Sequence, residues 1–191
     1  MATAFPGCVK PLLLVTLTLA CCATALPAAT LERLSLDDMI VKSTSIVRGK
    51  VLSSYSTSSG PVIYTNYRLQ VSETFKGTPS TSMEVQMPGG TVNHVRQTFA
   101  GVPQFDAGEE FVFFLWSGKS GAVQVLGLTQ GLFAMPGDTA ADPLVTRPAS
   151  AETMLERGTG KQVRDQTLTM HLSELRARIN TTLANGRRTT K

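Results

Sequence analysis

Apolar and polar positions along this chain alternate with two periods, and the change from one to the other marks its elements. The first element is a short helix. Ser35 stands as N-cap with Asp38 at capping-box spacing, and Leu36, Met39 and Ile40 fall on one helical face. Ser43 to Ser45, three hydroxyl residues in a row, end it. A strand begins at Ile46, where Val47, Gly49 and Val51 alternate with Arg48 and Lys50, and Gly49 marks a bulge or bend. Tyr55 to Pro61 is a turn by composition. The clearest element follows. Ile63, Thr65, Tyr67, Leu69, Val71 and Phe75 share one face, while Tyr64, Asn66, Arg68, Gln70, Ser72 and Thr74 share the other, with Glu73 interrupting the apolar side. Such alternation predicts a long antiparallel strand with one wet face.

Met83, Val85 and Met87 form a third strand, which Pro88-Gly89-Gly90 ends. Between Val92 and Gln104 no period is clear, with one short strand expected around Val95 to Phe99. Phe105 to Gly108 reads as a tight turn. Phe111 to Trp116, apolar on both faces, reads as a buried central strand, with Val123 and Val125 pairing back onto it and Leu132 to Met135 as a last edge. Residues 136–164 carry scattered Pro and Gly and read as an extended linker with a helical turn around Ala151 to Arg157. Leu168, Leu172, Leu175, Ile179 and Leu183 then form a helical stripe. It predicts a C-terminal amphipathic helix over 165–185, stopped at Asn185-Gly186. One helix, six or seven short strands and a second helix predict a mainly β fold. The expected form is a small antiparallel, OB-like barrel over 26–135, closed or partly closed, with a β-sandwich as the alternative.

The first residues change the picture of where the chain works. Lys10, the uncharged run Leu12 to Cys22 and the small-x-small site Ala23-Thr24-Ala25 read as a signal peptide over 1–25. Cleavage after Ala29, or lipidation at Cys21, are alternatives. The apolar run is short for a membrane span, which takes roughly 20 residues. A secreted protein, periplasmic or extracellular, is therefore expected. Cys8, Cys21 and Cys22 are its only cysteines, so cleavage after Ala25 leaves a cysteine-free domain without disulfides, thiolate metal ligands or a cysteine nucleophile.

Of 191 residues 42% are hydrophobic and 17% charged, which suits a chain with a real core rather than a disordered one. The net charge of +4 is unevenly spread. Residues 26–146 hold 8 basic and 10 acidic side chains, residues 147–191 hold 9 and 4. No Lys/Arg face interleaved with aromatics is present, which points away from nucleic acid.

Catalytic patterns are missing one by one. Neither His94 nor His171 begins His-Glu-x-x-His. Gly158-Thr159-Gly160-Lys161 lacks the glycine and the Ser/Thr that a phosphate loop needs at 155 and 162, where Leu155 and Gln162 stand. Gly118-Lys119-Ser120-Gly121 is one residue short of a nucleophile elbow. Glu109 and Glu110 are neighbours on a strand and point apart, and Asp37 and Asp38 belong to the start of a helix. No cofactor or metal is expected. The interaction surface nominated instead is the wet strand face with Tyr64, Arg68 and Gln70, together with His94 and Arg96, placed to meet an anion or a partner.

Ile46 to Val51 after a short helix, the strand from Tyr64 ending in Glu73-Thr74-Phe75-Lys76-Gly77, and the turn, acidic pair and apolar strand of Phe105 to Leu115 resemble the netrin-like domains. Among these are the tissue inhibitors of metalloproteinases. The chain is similar also to secreted bacterial proteins of unassigned function, which share its Val125 to Phe133 segment. The resemblance spans roughly Leu34 to Met135 and implies a barrel of the oligonucleotide/oligosaccharide-binding type. The inhibitors' zinc-chelating N-terminal cysteine has no counterpart after Ala25, so that mechanism does not carry over. The function expected is a non-enzymatic exported module, a monomer, that binds an envelope or extracellular protein or a glycan. Inhibition of a secreted hydrolase by a cysteine-independent mode, or an enzyme without a recognisable motif, are the alternatives.

Overall fold

The computed structural model describes residues 29–135, 137 and 140–189. The expected signal peptide and all three cysteines lie outside the described residues. Strand β1 (Thr30–Glu32) leads into helix α1 (Leu36–Lys42), whose start is as the sequence predicts. The Ser35 hydroxyl accepts from the Asp38 amide at 3.1 Å, and the Asp38 carboxylate reaches back to the Ser35 amide and hydroxyl. Met39 and Ile40 are fully buried beneath it.

β2 (Ser45–Ser59) and β3 (Val62–Lys76) form one long hairpin. The turn expected over Tyr55 to Pro61 is confined to its last residues, because β2 continues as strand to Ser59. Seven consecutive polar or small residues hide no strand period from the backbone, which pairs Ser56 with Thr65 and Ser58 with Ile63 regardless. One register shift falls between Arg48 and Gly49, where the sequence marks a bend, and another strands Leu52 between Val51 and Ser53.

β4 (Ser82–Pro88) flanks β3, and the small hairpin of β5 (Gly90–Val92) and β6 (Val95–Gln97) follows. β7 (Glu110–Ser117) pairs with β2 on one side and, on the other, with β8 (Val123–Val125) and β9 (Leu132–Ala134). A 3-10 turn, Leu128–Gly131, joins β8 to β9.

The region read as a linker is built into the fold instead. β10 (Leu144–Arg147) pairs with β9, and β11 (Thr153–Leu155) replaces the helical turn expected there. β11 lies parallel to β1 and antiparallel to β12 (Gln162–Val163). Val145 and Met154 are the buried anchors; two isolated apolar residues among Pro, Ala and Thr give no period to read. The last helix also starts later than expected. Residues Leu168–His171 form β13 against β10, and α2 runs Leu172–Thr189. Leu168 and Leu172 of the helical stripe also fit a period of two with Met170 between them. The choice falls at Leu172, whose amide donates to the Pro143 carbonyl at 2.9 Å.

The principal sheet runs β13-β10-β9-β7-β2-β3-β4, with β8 beside β7. It is curled but open: of the OB-like barrel expected as closed or partly closed, the mainly β character holds and the closure does not. β4 and β8 approach and share one apolar cluster, yet no ladder joins them among the described residues. The reason is local: β8 is only three residues long, and Leu126 and Gly127 turn the chain away into the 3-10 segment.

Both faces of β7 are covered, as its continuous apolar run predicts. Val112 and Phe114 point to the helices, packing with Ile40, Phe133, Leu175 and Ile179. Phe113 and Leu115 point into the curl, with Tyr67, Leu69, Val85 and Phe105. Each such ring, fully withdrawn from water, contributes about 1.5–3 kcal/mol. Ion pairs clamp α2 to the sheet and to α1. Arg176 grips both oxygens of Glu73, the residue that interrupts the apolar face of β3, and Arg178 does the same to Asp37.

Candidate ligand cleft and outer sheet face

The strand period of β3 sends alternate side chains to opposite surfaces, and this divides the residues nominated from sequence. Tyr64, Arg68 and Gln70 lie on the outer face. There the Arg68 guanidinium sits 5.2 Å from the Tyr55 ring centre and 3.9 Å from the Glu84 carboxylate. The Tyr55 hydroxyl donates to Glu84 at 2.9 Å, and this bond foremost raises the phenol's pKa. Asn66, between Tyr64 and Arg68, is buried, bonded to Thr57 and to Gln86 at 3.0 and 3.1 Å. Arg68 is mostly exposed, and such surface pairs contribute about 0–1 kcal/mol. On the outer face Arg68, Tyr55 and Glu84 are thus engaged with one another, as are Asn66, Thr57 and Gln86.

His94 and Arg96 are elsewhere. Asn93 and His94 form the two-residue turn between β5 and β6, at φ of +49° and +65°. Positive φ at both positions is what a type I′ hairpin demands. His94 therefore serves the turn and is exposed at its tip. Arg96 lines a cleft on the inner side of the sheet. The structure does not bring these two together with Tyr64, Arg68 and Gln70 into one site.

That cleft has a volume of about 350 Å3. One side is sheet. Ser54 stands opposite Tyr67 and Ser56 opposite Thr65, all on the same face. The other side is the segment from β6 to the turn before β7, contributing Gln97, Phe99, Gln104 and Phe105. Two anchors, one aromatic and one polar, hold this irregular segment in place. Phe105 packs edge-on against Tyr67, Phe111 and Phe113 with centroids 4.8–5.6 Å apart. Gln97 bonds across to the hairpin tip, accepting from the Ile63 amide at 2.7 Å and donating to the Pro61 carbonyl at 2.8 Å.

Gly90 is dictated by close approach. A Cβ there would stand 2.6 Å from both the Ser56 and Thr65 hydroxyls, and φ is +135°. The Thr65 hydroxyl donates to the Gly89 carbonyl at 2.8 Å and lies 3.3 Å from that of Ser56. Tyr67 is nearly buried. Burial, assisted by the Asp106 and Glu109 carboxylates, pushes its phenol up, against a bond from the Phe105 amide. Phe99 keeps 44% of its surface exposed at the cleft. Arg96 and Asp106 are the lining residues that carry a full charge.

Elsewhere the fold gathers Asp142, His171 and Ser173, the residue types of a hydrolase triad, in an order that does not suit one. The Ser173 hydroxyl donates directly to Asp142 at 2.6 Å, and the Ser173 amide to the same carboxylate at 2.8 Å. His171 Nδ1 faces the Asp142 backbone carbonyl at 3.1 Å. The carboxylate thus caps the first turn of α2, and its pKa is lowered mainly by the serine hydroxyl. Among the described residues no three His, Cys, Asp or Glu side chains are grouped to hold a metal ion. No helix of the described residues is long and apolar enough to cross a membrane.

Ser54, Ser56, Gln97, Phe99 and Gln104 were not nominated from sequence. The serines sit in a run without apolar markers, and residues 97–105 have no period. The one available signal was Gly89-Gly90, a pair that implies backbone passing close to something. No family model matches the chain, and no curated protein or solved structure matches it either.

Proposed function

We propose that this chain is an exported, non-enzymatic binding module that holds its ligand in the cleft beside the β2–β3 hairpin. One observation carries the reading: a preformed cleft of about 350 Å3 whose lining combines hydroxyls, amides and aromatic rings. That size and mixture suit recognition of a ligand in a largely formed site. Binding rather than catalysis is supported by the Thr65 hydroxyl, which donates to a backbone carbonyl and not to a base. The short helix, long hairpin and curled return strands support an OB-type barrel, opened at the seam between β4 and β8, as the ancestry of this surface. Export rests on the signal-like first 25 residues. The envelope or the extracellular space is thereby the source of the ligand, a protein or a glycan.

The test is retention on the immobilised exported protein of material from envelope and culture-fluid extracts, read by mass spectrometry. One saturable species held by the wild type and by Arg68→Ala, and released by Ser54→Trp, is expected. A species held equally by Ser54→Trp and lost with Arg68→Ala would move the function to the outer face and refute the cleft.

A further inference from the structure

We infer that the cleft takes an uncharged saccharide, which deepens and rests on the binding-module reading above. The polar lining of the cleft is mostly uncharged. On the sheet side Ser54, Ser56 and Thr65 offer hydroxyls, and across from them Gln104 offers an amide. Every one of these groups both donates and accepts. An anion requires donors alone, and a cation requires acceptors alone. A surface of two-way groups is matched by a ligand whose own groups are two-way, and sugar hydroxyls are of that kind. The Thr65 hydroxyl, its proton directed to Gly89, keeps lone pairs to accept with.

The second observation is the aromatic content. Phe99 is half-exposed at the cleft, while Tyr67 and Phe105 are buried behind it. An exposed ring standing beside a row of hydroxyls fits a ligand with one C–H face and one hydroxyl edge, which a pyranose ring presents. The phenyl lies beside the Gly89 backbone, where an added Cβ would stand 3.7 Å from it.

Two competing ligand classes fit less well. An added peptide strand is recognised by a row of unpaired backbone groups. On the floor of the cleft β3 is already paired with β2 at Ser54 and Ser56 and with β4 at Val85 and Met87. A nucleic acid strand needs a track of positive charge. The lining has Arg96 together with Asp106, which cancel.

The experiment uses the exported protein on an array of neutral and acidic oligosaccharides, with affinities of the hits then measured by titration calorimetry. Expected is binding of a neutral saccharide, weakened at least tenfold by Phe99→Ala, abolished by Ser54→Trp and unchanged by Arg68→Ala. Ser54 and Phe99 are both solvent-accessible, and thermal melts of the variants establish that each is folded. A blank array, binding confined to acidic saccharides and lost with Arg96→Ala, or binding that survives both cleft variants would overturn the inference. A blank array with a non-saccharide ligand captured from extract in a Ser54-dependent manner would overturn the saccharide and leave the binding module standing.

Discussion

Arg147 on β10 and Asp165 ahead of β13 form the ion pair most fully withdrawn from water, with side chains 3% and 1% exposed and an N–O distance of 2.9 Å. The guanidinium also donates to the Gln166 carbonyl, while Asp165 accepts from the Ser150 amide. Burial alone would raise the Asp165 pKa. The Ser150 amide, the Arg147 guanidinium and the Gln166 amide outweigh it and hold the carboxyl below its usual value. Asp165→Asn keeps the volume and removes the charge. It leaves a buried guanidinium uncompensated and sets an amide against its donors in the rotamer that faces them. Breaking a buried pair on one side costs about 3–5 kcal/mol. For a domain of this size each kcal/mol lowers Tm by about 2–4 °C, so a fall of roughly 6–20 °C is expected. The double change Arg147→Met/Asp165→Leu removes both charges and is expected to be markedly less destabilising than Asp165→Asn, since an apolar replacement of a whole pair is often neutral. The pH dependence follows the same sign. A carboxyl whose folded pKa is depressed stabilises above its unfolded value, near 3.8, and loses that contribution as pH falls through the folded pKa. Wild-type stability therefore declines from about pH 5 downward more steeply than that of Asp165→Asn. Urea unfolding at neutral and acid pH measures both effects. A cost under about 1 kcal/mol for Asp165→Asn, or a double variant as unstable as the single, would refute the account of the pair.

Two further outcomes follow from local geometry. Ser35→Ala removes one half of the reciprocal cap on α1 and is expected to cost about 1 kcal/mol in chemical unfolding, without altering the cleft. Gly131→Ala places a Cβ 2.4 Å from the Leu126 carbonyl and 3.0 Å from that of Phe114, both backbone atoms at the junction of β7, β8 and β9. The expected loss is about 1–3 kcal/mol or more, with a lowered Tm, since backbone in a paired sheet cannot step aside.

The elements legible in the sequence are those with a strong local period or a local chemical signal. The cap at Ser35 and Asp38, the alternation from Ile63 to Val71, the two-faced strand at Phe111 to Trp116 and the bend at Gly49 all depend on residues within a few positions of one another. The misread stretches obey a different logic. Ser53 to Ser59 becomes strand because Val62 to Arg68 folds back upon it; its own side chains carry a turn composition. Residues 144–147 and 153–155 are strands because β9 and β1 supply partners far away in sequence. Leu168 is strand and not helix because β10 takes its backbone bonds before α2 can.

The nominated surface divides for the same reason. Alternation correctly placed Tyr64, Arg68 and Gln70 on one face, but a period of two says which side chains agree and not which side of the sheet is concave. Concavity arises from the register shifts near Gly49 and Leu52 and from the chain that crosses the inner face between Gly89 and Phe105. On the convex side, long side chains fan out and meet their neighbours, so Arg68, Tyr55 and Glu84 satisfy one another. On the concave side, space near the tip is limited, and small hydroxyl residues are what remain: Ser54, Ser56 and Thr65 replace the valines and leucines that fill the curl nearer α1. The hydroxyl row thus leaves open the volume that larger side chains would fill, and the cleft of about 350 Å3 is that volume.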